Sequence, residues 1–169
     1  MTRIIFFGTS TFAIPALEAL HALDGVEIVA VVTKPDEPQG REKKLTPTPV
    51  SARAHALGLR VLTPGRVKEA AETLKAERPD VGVVAAYGKI LPKIILDIPR
   101  HGYLNVHPSL LPRHRGPSPV QATIAFGDSE AGVTIITLDA DMDHGPIVAQ
   151  ERVPLCGDEW YEDLKKQLA

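Results

Sequence analysis

The chain has 169 residues, with 19 Lys+Arg against 21 Asp+Glu, one cysteine and 44% hydrophobic side chains. A chain this long hides roughly 70% of the surface it exposes when unfolded, so it builds a core without disulfide or metal staples, and the lone Cys156 offers no disulfide framework. A net charge of −2 excludes nucleic-acid binding through bulk positive charge, and no run reaches the roughly 18 apolar residues of a membrane span. One soluble, cytoplasmic, monomeric domain is the expectation.

Arg3 to Phe7 is a short apolar run that reads as a strand, broken by Gly8-Thr9-Ser10. Thr11 is placed to cap a helix through Phe12, Leu17 and Leu20. Val26 to Val32 reads as a buried strand, Ser51 to Leu57 as a helix ended by Gly58, and Arg60 to Leu62 as a brief strand. A polar-faced helix follows at Lys68 to Glu77. Val81 to Ala86 is the continuous apolar run that a parallel sheet buries on both faces. Tyr103 to His107 is a further strand, Val120 to Phe126 a helix, Val133 to Leu138 and Ile147 to Val153 two strands, and Glu159 to Leu168 a last helix. Strands alternating with helices predict an α/β fold with a doubly wound, mostly parallel sheet, whose ligands bind beyond the carboxyl ends of the strands.

That rule directs attention to three loops. Lys34 to Pro49 and Pro108 to Pro119 hold four prolines each, and Asp139 to Pro146 is acidic with a glycine turn. Proline-loaded loops lose little entropy on ordering and suit a rigid site wall. Charge is also unevenly spread. Arg41 to Lys68 carries a balance of +6, Ile98 to Gly127 has no carboxylate, and Asp128 to Asp143 has five carboxylates and no cation. Such local fields steer an anionic partner where net charge predicts nothing.

The first glycine turn lacks the spacing of a dinucleotide or P-loop motif; it is either an ordinary capped turn or an anion site on backbone N–H groups. Asn105-Val106-His107 is sharper. Residues two apart on a strand face one way, so an amide and an imidazole project together where Pro108 stops the strand. That pair suits a transient oxyanion, and it equally describes two satisfied polar residues at a strand end. Asp143 is the candidate third member, a carboxylate able to fix the imidazole tautomer. Metal readings fail: Asp139 to Gln150 has His144 where a calcium loop needs Gly and Gln150 where it needs Glu, and His101, His107 and His114 match no zinc spacing. No residue reads as a covalent nucleophile.

Asn105-Val106-His107-Pro108-Ser109-Leu110-Leu111-Pro112-Arg113-His114-Arg115-Gly116, with Gly132-Val133-Thr134 and Asp143 downstream, resembles the signature of the 10-formyltetrahydrofolate-dependent formyltransferases. Lys34-Pro35-Asp36, Gly40-Arg41, Lys43-Lys44-Leu45 and Pro47 to Val50 are similar to the basic loop of the branch whose acceptor is initiator methionyl-tRNA. The resemblance implies a Rossmann-like formyltransferase fold over residues 1–169, lacking that family's final catalytic-domain helices and carboxyl-terminal barrel-like domain. It implies 10-formyltetrahydrofolate as formyl donor, no metal, and catalytic roles for Asn105, His107 and Asp143. Tyr87, Gly88, Ile90, Leu91 and Pro92 would meet the folate, with Ser109, Leu110, Leu111, Pro112, Asp139, Ala140 and Asp141. Gly8, Thr9, Ser10, Arg41, Lys43, Lys44, Arg115 and Gly116 would meet the tRNA acceptor stem. The same chemistry on a small amine, an amino sugar nucleotide or glycinamide ribonucleotide, is the alternative, and a folate-binding fragment without turnover is another. His114, Pro117-Ser118 and His144 depart from the family's usual residues.

Overall fold

A computed structural model describes residues 1–39, 44–139 and 142–169. The chain divides into two compact units, Met1–Tyr103 and Leu104–Ala169.

The first unit is built on parallel strands. β1 (Thr2–Gly8), β2 (Val26–Val32), β5 (Val61–Leu62) and β6 (Val81–Ala85) lie in the order β5-β2-β1-β6, every neighbouring pair parallel. Ile5, Phe6, Phe7, Val31 and Val32 are all fully buried. Consecutive side chains point to opposite faces, so burial of neighbours means that both faces are covered, which is why these strands read as unbroken apolar runs. Arg3 anchors the start of β1: its amide donates to Asp80, and its guanidinium reaches Glu27 Oε2 at 2.7 Å and the Glu77 carbonyl at 2.8 Å.

Helices follow where proline and caps permit. α1 (Ile14–Ala22) carries proline in its first turn, where the missing N–H costs nothing. α2 (Pro49–Ala56) starts on another proline, and Thr48 accepts from the Ser51 amide at 3.0 Å. Pro49 therefore sits where the helix begins, two residues before the Ser51 start the apolar spacing suggested. Thr11 does not cap. It opens a 3₁₀ turn (Thr11–Ala13) whose N-cap position is Ser10, with no side-chain bond. The Lys68 to Glu77 helix divides into a 3₁₀ turn (Val67–Ala70) and α3 (Ala71–Ala76). The proline-rich loop holds a small antiparallel pair, β3 (Glu37–Gln39) with β4 (Lys44–Thr46), and α4 (Lys93–Leu96) is a further short helix.

Gly82 in β6 is set by packing. A β-carbon there would lie 2.1 Å from the Tyr103 ring, which is buried and pinned by its hydroxyl donating to the Ile95 carbonyl at 3.0 Å. Burial also pushes the Tyr103 phenol well above its ordinary range. Gly82→Ala is expected to destabilise by about 1–3 kcal/mol through overpacking, read as a lower urea midpoint at unchanged m-value.

The second unit runs antiparallel. β7 (Tyr103–His107, whose first residue closes the first unit) pairs with β8 (Glu130–Thr137), and β8 with β9 (Ile147–Pro154). The mostly parallel expectation holds, with β1, β2, β5 and β6 pairing in parallel and β7, β8 and β9 forming an antiparallel ladder. The β8-to-β9 connection is too short for a parallel crossover, which needs about a dozen residues or more. α5 (Pro119–Ala125) and α6 (Tyr161–Gln167) complete the unit. Among the described residues no helix is long and apolar enough to cross a membrane.

Candidate active site

β7 delivers the first two site residues as its alternation requires. Asn105 is half-buried and His107 is 5% exposed, and the Ser109 amide turns back to the His107 carbonyl at 2.9 Å immediately after the strand. The loop beyond is fastened to β8 and β9 by a residue pair that the sequence reading missed. Thr134 Oγ1 donates to the Ser109 carbonyl at 2.6 Å and accepts from the Leu111 amide at 3.2 Å and Gln150 Nε2 at 2.9 Å. Gln150 Nε2 also donates to the Leu111 carbonyl at 3.1 Å. Thr134 and Gln150 are register partners across β8 and β9, and the Thr134 hydroxyl is fully buried inside an apolar strand. Ser109 Oγ donates to the Arg113 carbonyl at 2.7 Å, and the Leu111–Pro112 peptide is cis.

Asp143 joins Asn105 and His107. It sits in the left-handed region at φ 49°, in the turn between β8 and β9. Its Oδ1 accepts from Asn105 Nδ2 at 3.3 Å, its Oδ2 accepts from the Gly116 amide at 2.8 Å, and His107 Nδ1 lies 3.6 Å from Oδ2. That last separation is an ion-pair distance rather than a hydrogen bond. The short contact of the imidazole is on its other side, where Nε2 meets the His114 carbonyl at 3.0 Å. A carbonyl can only accept, so Nε2 carries a hydrogen and Nδ1 is the nitrogen turned to Asp143. The tautomer, expected from the carboxylate, is therefore set first by a backbone oxygen. The arrangement presents an amide N–H and an imidazole beside one carboxylate, groups suited to an oxygen that gains negative charge.

A second carboxylate stands behind the first set. Asp128 Oδ2 lies 2.5 Å from His114 Nε2, and Asp128 Oδ1 lies 2.5 Å from Arg113 Nη2. The His114 hydrogen bond, assisted by the Arg113 charge, holds the Asp128 carboxyl below its usual range. These groups wall a cavity of about 230 Å³ together with Leu110, Pro112 and Arg152. A depressed carboxyl stabilises the fold fully above the ordinary value near ~4 and loses that contribution as pH falls through the lower folded value. Asp128→Asn is accordingly expected to cost about 1–3 kcal/mol at neutral pH, with the gap to the wild type closing in strong acid, as urea titrations at several pH values would show.

The other candidates are placed as follows. Ser109 and Leu111 are buried, Leu110 is half-buried, and Pro112 and Arg115 are exposed. Gly116 takes φ 99° to aim its amide at Asp143. Asp139 is partly exposed, with His144 Nδ1 3.2 Å from its Oδ2. In the first unit, Tyr87 is 1% exposed, edge-on to Phe7 with centroids 5.3 Å apart, and its hydroxyl has no hydrogen-bond partner among the described residues. Gly88 is left-handed, Ile90 is exposed, Leu91 is buried, and Pro92 occupies the N-cap position of α4. Gly8 is a packing position: a β-carbon would lie 2.8 Å from the Phe6 ring and 2.9 Å from Ala13 Cβ. Thr9 Oγ1 donates to the Tyr87 carbonyl at 2.9 Å. These contacts give Gly8 a packing role and Thr9 a hydrogen-bonding role within the turn. Lys44 is exposed on β4, whereas Arg41, Lys43, Ala140 and Asp141 lie outside the described residues. Among the described residues no group of three or more His, Cys, Asp or Glu side chains is arranged to hold a metal.

The family described as formyl transferase matches residues 2–169. The methionyl-tRNA formyltransferase of Chloroflexus aggregans is 56% identical over 155 residues, covering 90% of this chain and 50% of that protein. That of Roseiflexus castenholzii is 52% identical over 168 residues, covering 98% and 54%. The chain thus spans about half the length of these relatives. Among solved structures, the phosphoribosylglycinamide formyltransferase of Brucella melitensis superposes with a TM-score of 0.78 at 28% identity, over 99% of this chain and 87% of that one. The parallel strands of the first unit and the antiparallel ladder of the second are accordingly those of a Rossmann-like fold, and the chain belongs to the formyl transferase family.

Proposed function

We propose that this chain carries the catalytic residues for moving a formyl group from 10-formyltetrahydrofolate to the amino group of initiator methionyl-tRNA. The observation that carries the reading is the gathering of Asn105 and His107 around Asp143 at the end of β7. The folate would supply the formyl carbon at an amide-like nitrogen. An amine attacking that carbon turns its oxygen into an oxyanion, for which Asn105 Nδ2 is the suited donor, with the charge of a protonated His107 imidazole beside it. Asp143 keeps both groups in place and supports the imidazole as protons move from the amine toward the departing nitrogen. Donors fixed before reaction do not have to reorganise as charge develops, which is the source of their catalytic value. No acyl-enzyme is required in this sequence.

The remaining assignments follow the resemblance. Tyr87 to Pro92, Ser109 to Pro112 and Asp139 to Asp141 are proposed for the folate, and Gly8 to Ser10, Arg41, Lys43, Lys44, Arg115 and Gly116 for the tRNA. The setting would be the cytoplasm, with the protein acting as a monomer in translation initiation. The test is formylation by the full-length protein supplied with 10-formyltetrahydrofolate and charged initiator tRNA. Formylmethionyl-tRNA is the expected product, weakened by Lys44→Ala chiefly through KM for tRNA. Formylation of glycinamide ribonucleotide in its place would overturn the acceptor assignment.

A further inference from the structure

Formyl transfer as proposed above leaves the His114 side chain and Asp128 without a task, although their side chains are only 11% and 7% exposed. His114 also holds a left-handed backbone at φ 54°, a conformation that costs a non-glycine residue free energy and persists only where the surroundings impose it. What imposes it is visible. The ring is fastened by Asp128 Oδ2, 2.5 Å from its Nε2, and lies against Phe126 with centroids 5.5 Å apart and planes 33° apart. The backbone held in this way serves both catalytic partners. The His114 carbonyl takes the His107 Nε2 hydrogen, and two residues on, the Gly116 amide binds Asp143 Oδ2. Phenylalanine would fill the same space, but it would have no donor with which to grip Asp128.

We propose that His114 is a positioning residue for His107, its ring clamped by Asp128 so that its backbone carbonyl holds the His107 Nε2 hydrogen and keeps Nδ1 turned to Asp143. This rests on the formyl-transfer reading for its kinetic consequence, though not for its structural one. Two carboxylate–imidazole pairs then stand in series, Asp128–His114 and Asp143–His107, joined by a single backbone carbonyl. Residues that act through an oriented ligand or base commonly change activity about 10–100-fold when removed.

The test uses the full-length protein with histidine ring nitrogens labelled with ¹⁵N. His114→Phe keeps a ring against Phe126 and removes the grip on Asp128. In the wild type the His107 signals should show hydrogen on Nε2, and in His114→Phe they should move toward the other tautomer. In the same variant kcat should fall about 10–100-fold with KM for the folate within about two-fold, and His114→Gln, which can still donate to Asp128, should recover most of the loss. Asp128→Ala, which leaves His114 present and unanchored, should shift the same His107 signals and covers the case in which His114→Phe does not fold. Unmoved His107 signals in the folded variants, a loss confined to KM, or a Gln variant as impaired as the Phe variant would each overturn the proposal. A wild type that shows no formyl transfer while the His107 signals still respond would refute the functional reading and leave the positioning role standing.

Discussion

Replacing Asn105 by alanine is expected to lower kcat by about 10²–10³-fold, equivalent to about 3–4 kcal/mol of transition-state stabilisation, while leaving the protein folded. The amide sits on β7 with only partial burial, and its Nδ2 makes a 3.3 Å bond to Asp143, so its removal deprives the fold of one modest interaction. The reaction loses more, because an oxyanion donor is worth most where its orientation is fixed in advance. KM for both substrates should change little, since the donor is asked to act on charge that exists only in the transition state. Steady-state kinetics together with a thermal melt separate the two effects. A variant that melts as the wild type does and also turns over as fast would remove Asn105 from the chemistry.

Gly145→Ala is expected to reduce kcat about 10²-fold without touching any proposed catalytic group. Gly145 is buried in the turn that carries Asp143, and the Pro146 carbonyl accepts from the Thr137 amide at 3.0 Å as the turn closes on the end of β8. A β-carbon at Gly145 would lie 1.8 Å from the Thr137 carbonyl oxygen, a backbone atom that cannot step aside. Relief needs a movement of about an ångström or more in the turn, and a displacement of that size in a positioned group costs on the order of 10² in rate. Stability should fall by about 1–3 kcal/mol as in other overpacked sites. An unchanged kcat would mean that the turn absorbs the methyl without moving Asp143.

The parts of this molecule that can be read from its sequence are those where a side-chain period reports burial directly. Val26–Val32 and Tyr103–His107 are found at the bounds their residues suggest. The first is apolar on both faces and the second is stopped by Pro108. Asn105 and His107 were legible for the same reason, since a spacing of two on a strand can only place them on one face. The β3–β4 pair was not legible: its strands are three residues each, polar and interrupted by Pro38, so neither period nor propensity marks them. The antiparallel run of β7, β8 and β9 was hidden because α5 lies between β7 and β8, and a helix between two strands ordinarily signals a parallel crossover. The Asp128–His114 clamp and the Thr134–Gln150 pair join residues 14 and 16 positions apart across a loop and across a ladder. No local pattern encodes such meetings; they exist only once register is set. The same holds for Gly8, Gly82 and Gly145, whose small size answers to atoms brought close by the fold.

Under the proposed function Asn105, His107 and Asp143 act together in a direct transfer, and single-turnover formylation tests this most directly. Full-length protein carrying His107, and the His107→Ala variant, would be mixed with labelled 10-formyltetrahydrofolate and methionyl-tRNA and quenched over time. The expected result is labelled formylmethionyl-tRNA from the first with no labelled protein at any time, and a rate lower by about 10² or more from the second. Equal rates in the two proteins, or a formyl group passing through the protein on its way to the tRNA, would contradict it.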